Sequence, residues 1–312
     1  MKKYEISPEL KRYCFSIPFN PALLKISHLP QRLLLQMTHV SGIKKQKICI
    51  NVRKNSPGYK LYAEIYESKN SQKTKPSPCL FYIHGGGFGF EAAPHHKKLA
   101  CRFAKEPGCL VVFPYYRLLP GNPYPAARED IVEIYRYICQ NSNKLNIDTG
   151  KIAAAGDSAG GTLASYLCFD AEKLDLIPLC GQLLLYPVTD MKMNTFSMNK
   201  YTDTPLWNSK CNSAMWKMYF DGKGSTEASP MDAQLPKTIP PAYIETAEFD
   251  CLHDEGINYA KRLKSSGASI ELYETKGTIH GYDIAVKSCI VKCCMEKRLA
   301  ALRRFFASET EQ

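Results

Sequence analysis

The stretch with the clearest chemical content is Gly156-Asp157-Ser158-Ala159-Gly160, which follows the apolar run Ile152 to Ala155 and precedes a helical pattern, Thr162 to Leu167. Strand, sharp Gly-Xaa-Ser-Xaa-Gly turn and helix form a nucleophile elbow, which lifts a serine hydroxyl above the end of a sheet. A Cβ at Gly156 or Gly160 would crowd the neighbouring strand and helix. A serine hydroxyl is a poor nucleophile until a base takes its proton, and the base needs an orienting partner. In elbow enzymes these follow the serine in the order Asp or Glu, then His. Two histidines follow Ser158. His280, in Thr278-Ile279-His280-Gly281, falls between the last expected strand and the last helix, where a loop can carry its ring over the elbow. His253 opens an expected helix and reads as a structural or surface residue. Asp250 ends the expected strand Ala242 to Phe249, the place for the third member. Glu248 still belongs to that strand, and Asp254 and Glu255 fit helix capping.

Upstream, His84-Gly85-Gly86-Gly87 follows the apolar stretch Cys79 to Ile83. Three glycines allow successive N–H groups to converge on one point, as stabilising an oxyanion requires. Nucleophile, base, acid and oxyanion donors together specify acyl transfer without metal or organic cofactor.

Placing these groups requires strands that end where they begin. Short helices interrupted by Pro8, Pro18, Pro21 and Pro30 are expected over residues 1 to 40, then strands over 46–52 and 59–66 joined by a turn at Ser56-Pro57-Gly58. A polar loop follows over Ser68 to Pro78. Strand and helix then alternate: strands at Cys79 to Ile83, Cys109 to Pro114, Gln182 to Tyr186, Ala242 to Glu248 and Ser269 to Glu274. Helices are expected at His95 to Lys105, Ala126 to Gln140, Asp254 to Ser265 and 284–307. Such alternation predicts a mostly parallel sheet with helices on both faces. Residues 191–240 break the pattern, with a helix expected over Ser213 to Phe220. They hold both tryptophans, Trp207 and Trp216. An insertion of this length is usually functional, often a lid. The reading is therefore a core of residues 46–190 and 241–312, N-terminal cap helices over 1–45 and a cap insertion over 191–240. Candidate walls of a closed, short substrate pocket are Phe88, Phe90, Leu206, Trp207, Met215 and Trp216.

Composition restricts the setting. The chain has 312 residues, 45% of them hydrophobic, and no run of 18 apolar residues that would span a membrane. Lys2 and Lys3 lack an apolar stretch behind them, so no secretion signal is expected. Thirteen cysteines are mostly scattered singly in apolar stretches, as in a reducing cytoplasm. Cys289, Cys293 and Cys294 cluster without the paired spacing of a zinc site and read as a helix-face group. The net charge of +11 lies wholly in residues 1–75, with fifteen Lys and Arg against four Asp and Glu. Without a block of like charges, these residues read as a solvated face, and no nucleic-acid partner is expected.

Four stretches together resemble the hormone-sensitive-lipase-like family of α/β-hydrolases, a group with many microbial carboxylesterases and acetyl esterases. They are His84-Gly85-Gly86-Gly87-Phe88; Tyr116-Arg117-Leu118 with Tyr124-Pro125-Ala126-Ala127; the Ser158 elbow; and Phe249 to Gly256 with His280-Gly281. The resemblance spans roughly residues 60–307. It implies an α/β-hydrolase fold with an eight-stranded sheet and a two-part cap. It also implies a triad of Ser158, Asp250 and His280, and an oxyanion hole from the N–H groups of Gly86, Gly87 and Ala159, with His84 supporting that loop. Two acidic positions common in the family are Tyr115 and Gly121 here, leaving the partners of Arg117 open. The function expected is hydrolysis of short- to medium-chain esters through an acyl-enzyme. The alternatives are a non-catalytic small-ligand receptor on this fold, or an amidase or transacylase using the same triad. Hormone receptors resembling the family lack the catalytic histidine; His280 is present.

Overall fold

Side chains along the central strands alternate between two apolar clusters, and that alternation builds the molecule. The computed structural model describes residues 4–52, 58–71, 75–221 and 229–307; Ser56 and Pro57 of the expected turn lie outside them. Among these residues the strands are β1 (Ile43–Val52), β2 (Tyr59–Ser68), β3 (Ser77–Ile83), β4 (Leu110–Tyr115), β5 (Ile147–Asp157), β6 (Gly181–Leu185), β7 (Ala242–Phe249) and β8 (Ile270–Ile279). The α-helices are α1 (Pro21–Met37), α2 (Pro94–Lys105), α3 (Ala126–Gln140), α4 (Ser142–Leu145), α5 (Ala159–Lys173), α6 (Phe196–Lys200), α7 (Ser209–Tyr219), α8 (His253–Ser265) and α9 (Cys289–Phe306). The eight strands form one sheet in the order β1-β2-β4-β3-β5-β6-β7-β8. β2 is antiparallel to both β1 and β4, and every pairing from β4 through β8 is parallel.

Cys79, Phe81 and Ile83 of β3 face one side with Val112, Ala154 and Leu184, where α3, α5 and α8 cover them through Ile134, Leu163 and Leu263. Leu80 and Tyr82 face the other with Val111, Ala153 and Leu183, beneath Leu99 and Phe103 of α2 and Met295 and Leu299 of α9. Strands buried on both faces lose polar alternation, which is why β4 and the Ile152 to Ala155 part of β5 read as near-continuous apolar runs. Each fully buried Leu or Phe here contributes about 1.5–3 kcal/mol.

Four expectations are corrected. Pro30 does not break the first helix; α1 runs through it. The proline removes one hydrogen bond, but it lies on the exposed side, where the carbonyl it leaves unpaired can be solvated. The last helix does not begin at residue 284. A 3-10 turn, Tyr282–Ala285, comes first, and α9 starts after Ser288, whose hydroxyl caps the N–H of Val291 at 3.2 Å. β8 also runs five residues past its expected end, so that it delivers His280 directly. Helix α7 starts four residues early because Asn208 caps it, accepting from the N–H groups of Lys210 and Cys211 at 3.1 Å. No helix among the described residues is long and apolar enough to cross a membrane.

Candidate active site

Each group that the sequence singles out follows the carboxyl end of a parallel strand: His84 after β3, Ser158 after β5, Asp250 after β7 and His280 after β8. This edge is where open α/β sheets place their ligands. At the elbow Ser158 takes φ 55° and ψ −123°, a strained conformation that aims its side chain away from the sheet. Hydrogen bonds from Ser158 N to Leu185 O (2.9 Å) and from Val188 N to Ser158 O (3.1 Å) hold the strain in place. The flanking glycines are required by close approach. A Cβ on Gly156 would stand 2.2 Å from Gly160 O, and one on Gly160 2.2 Å from Ile83 O.

The three candidate residues meet. His280 Nδ1 donates to Asp250 Oδ2 at 2.7 Å, which leaves Nε2 as the acceptor facing Ser158 Oγ at 2.9 Å. Asp250 is wholly buried, and its second oxygen accepts from Leu252 N at 3.0 Å. In this arrangement Nε2 can take the serine proton while the carboxylate fixes the tautomer. The other acids are engaged elsewhere: Glu248 accepts from Gly277 N at 2.7 Å, Asp254 from Ser197 N at 2.8 Å, and Glu255 from Thr189 N at 2.7 Å. His253 lies 2.8 Å from Asp254 and 3.3 Å from Glu274.

Beside the elbow, Gly86 and Gly87 adopt φ of +108° and +58°. A side chain on Gly87 would also run into the Trp207 ring, 2.7 Å from its Cβ. Among the described residues, no internal acceptor takes the N–H of Gly86 or Gly87. Ala159 is the first residue of α5, so its N–H has no partner within the helix. His84 is buried, stacks on Tyr116 with centroids 4.5 Å apart, and donates from Nδ1 to Gly85 O at 2.7 Å. Burial, and then the neighbouring His96, push its pKa down to about 3. A neutral ring bonded to the loop fits support rather than proton transfer.

Several contributors were not singled out in the sequence. Asp157 accepts from Tyr82 Oη at 3.0 Å and from His96 Nε2 at 3.1 Å. His96 Nδ1 accepts from Ala93 N at 2.9 Å, so its ring proton is on Nε2. Burial favours the protonated Asp157, but His96, with His95 and His84 beside it, outweighs burial and holds the carboxyl below its ordinary range. Arg117 finds Asp130 of α3, to which its Nε donates at 2.9 Å, and it lies over the Tyr59 ring at 4.2 Å. The acidic partner therefore comes from α3 rather than from positions 115 and 121.

Of the expected walls, Trp207 lies 5.9 Å from the His280 ring and 5.4 Å from Phe19, which is itself 5.7 Å from Phe90. Leu206 reaches to 4.0 Å of a Cβ built on Gly281. Phe88 stacks on Tyr219 at 4.1 Å and lies 6.2 Å from Trp216, and Met215 is buried in the same apolar cluster. Phe19 was missed in the sequence; an aromatic among the prolines of the N-terminal segment was its only signal.

Comparison with known proteins gives the fold its family. The pattern of the alpha/beta hydrolase fold family matches residues 80–284. The chain is 32% identical over 232 residues to esterase LipI of Mycobacterium tuberculosis, covering 73% of this chain and 72% of that protein. It is 34% identical over 235 residues to carboxylesterase NlhH of the same species, covering 73% of each. The crystal structure of esterase LipW from Mycobacterium marinum superposes with a TM-score of 0.89 at 27% identity, over 97% of both chains. The chain belongs to the α/β-hydrolase fold family, in its hormone-sensitive-lipase-like branch.

Proposed function

We propose that this chain is a serine carboxylesterase acting on short- to medium-chain acyl esters. The observation that carries the reading is the relay from Ser158 through His280 to Asp250, at 2.9 and 2.7 Å. In the first step Ser158 Oγ attacks the ester carbonyl as His280 Nε2 takes its proton, and Asp250 steadies the imidazolium. The N–H groups of Gly86, Gly87 and Ala159 hold the oxyanion. His280 then protonates the departing alcohol, leaving an acyl group on Ser158. Water attacks that acyl group with His280 again as base, and the acid leaves. No step calls for a metal or organic cofactor. LipI, NlhH and LipW bear the names of esterases, which supports the same activity here.

We read residues 1–45 and 191–240 as a two-part cap. Phe19 and Leu206–Trp207 close over the triad, and Ser158 and His280 keep 4% and 6% of their surface. A site so covered fits acetyl to hexanoyl esters, with Phe88, Met215 and Trp216 backing the wall. Each methylene that fits adds up to about 0.8 kcal/mol of transition-state binding, until the first that does not. Free cysteines, most of them scattered singly and six of them buried, support a reducing cytoplasm as the setting.

The test joins labelling to kinetics. A serine-directed phosphonate should add once, at Ser158, and aryl-ester hydrolysis should vanish in Ser158→Ala and in His280→Ala alike. Undiminished turnover in either variant, or labelling at another serine, would overturn the mechanism. A chain-length series peaking at sixteen carbons would overturn the pocket.

A further inference from the structure

Helix α1 is apolar on two sides: Leu24 and Leu35 are buried against the protein, and a second set of apolar residues is exposed. Three of its polar residues reach the protein: His28 Nε2 donates to Gly89 O at 2.7 Å, Gln31 accepts from Glu91 N at 2.8 Å, and the largely exposed Arg32 pairs with Glu91 at 2.6 Å. Five of its large apolar residues face out: Ile26, Leu29, Leu33, Leu34 and Met37 are 74, 66, 51, 55 and 81% exposed. Positions 26, 29, 33 and 37 recur at helical spacing and make one stripe. A helix whose sole partner is the domain beneath it keeps its outer face polar. A contiguous exposed apolar stripe marks an interaction surface.

What borders the stripe indicates what covers it. At the C-terminal end of α1, Lys97 of α2 donates to Leu35 O at 3.2 Å. Burial lowers the Lys97 pKa and Glu64, paired with Lys45 at 3.1 Å, counters it, while Lys45 and Lys47 of β1 stand close enough for their charges to add to the lowering. Lys44, Lys45 and Lys47 are all exposed, as is Lys25 on α1 itself. An aliphatic stripe flanked by ammonium groups, on a chain of net charge +11, matches the boundary between acyl chains and anionic headgroups. A second copy fits less well. Two such cations repel each other, and five side chains fall short of the roughly 20 residues that each side of a stable interface uses.

We propose that α1 docks the molecule on an anionic phospholipid surface, with the stripe at the headgroup boundary and the β1 lysines over the phosphates. The docked helix sits directly on the oxyanion loop. Besides the His28–Gly89 bond, a Cβ on Gly89 would meet Leu24 at 2.8 Å. The surface thus lies beside the cap; only the idea that it delivers apolar esters rests on the esterase reading.

The test is flotation of the full chain with vesicles of phosphatidylcholine containing about one third phosphatidylserine, against pure phosphatidylcholine. Partition should be at least about tenfold stronger on the anionic vesicles and should weaken with salt. The Leu29→Gln/Leu33→Gln variant should lose on the order of tenfold, and Lys44→Glu/Lys47→Glu should lose the anionic preference. Hydrolysis of a water-soluble aryl ester should be unchanged in both. No flotation on either vesicle, or flotation indifferent to both variants, would overturn the proposal. So would a wild-type dimer in solution that Leu29→Gln/Leu33→Gln converts to monomer, which would assign the stripe to a second copy. Flotation does not depend on turnover, so failure of the esterase reading would leave this result legible.

Discussion

Two buried charged clusters flank the triad, and they are balanced in different ways. Under the elbow, Asp157 is surrounded by neutral donors, the Tyr82 hydroxyl and the His96 ring, with a neutral His84 behind them. Behind the His280 loop, the wholly buried Arg298 faces two wholly buried carboxylates. Its guanidinium donates to Asp283 at 2.8 and 2.9 Å and to Glu245 at 3.1 Å. Tyr186, Tyr243 and Tyr282 hydroxyls complete the set, Tyr186 donating to Asp283 at 2.7 Å while its ring meets the His280 ring edge-on at 5.0 Å. The first cluster spreads one negative charge over dipoles. The second sets a full cation against two anions. A dipole-balanced anion responds to acid through the groups around it, whereas an ion-balanced cluster responds chiefly to the loss of a member.

The largest expected effect breaks the second cluster. Arg298→Leu strands two carboxylates in the core and should lower unfolding free energy by about 3–5 kcal/mol. The urea midpoint should fall with little change in slope. Adding Glu245→Leu and Asp283→Leu should restore most of the loss, because removing a whole buried ionic group is far less damaging than removing one partner. A single variant as stable as wild type would show that charge balance does not hold this region.

Next in size is a pair of variants that separates the clusters by pH. Asp157 is held below its ordinary range, so its stabilisation is present above an unfolded value of about 3.9 and disappears as pH falls below it. Asp283 is shifted upward, by burial that Arg298 only partly offsets. Its pH-linked contribution is therefore full below about 3.9 and lost as pH rises through its folded value. Asp157→Asn should lose about 1.5–3 kcal/mol at neutral pH and less in acid. For Asp283→Asn the gap from wild type should change in the opposite direction with pH. Parallel trends in denaturation from pH 3 to 7 would erase the distinction.

Spread over a wider pH window is the slope set by His84. With a folded pKa of about 3 and an unfolded one near 6.5, the unfolded chain binds more protons between those values, so stability rises with pH across that window. The contribution is at most about 1.4 kcal/mol per pH unit and is complete above 6.5. In His84→Asn the difference between urea midpoints at pH 4.5 and 7 should narrow; an unchanged difference would place the titration elsewhere. The smallest effect belongs to His253, whose partners Asp254 and Glu274 are partly solvated. His253→Ala should stay within about 0.5 kcal/mol in stability and keep its turnover.

These contrasts follow what was legible in the sequence. Ser158, Asp250 and His280 could be read because each occupies the end of a strand whose pattern is local and whose order is fixed. The Arg298 cluster could not. Glu245 lies in the middle of a strand, Asp283 in a short turn and Arg298 in a helix with basic residues on either side, and only the sheet order brings them together. Arg117 has the same lesson, since its partner Asp130 belongs to a helix thirteen residues on. The proline expected to end α1 was misread because its penalty depends on which side of the helix it faces. That is a tertiary property.

The parallel sheet also sets a timetable. Ser158 is synthesised with about half of the 312 residues still to come, and His280 completes its relay from β8, an edge strand. The first residues wait as well: Ser7 N donates to Gly277 O at 2.9 Å, and Glu9 accepts from Cys289 N at 2.9 Å. A chain emerging from the ribosome thus carries its proposed nucleophile long before its proposed base, and its two ends close on each other late. Hydrolytic competence would arrive with the final turns of folding, which makes onset of turnover a clock for completion of the whole domain.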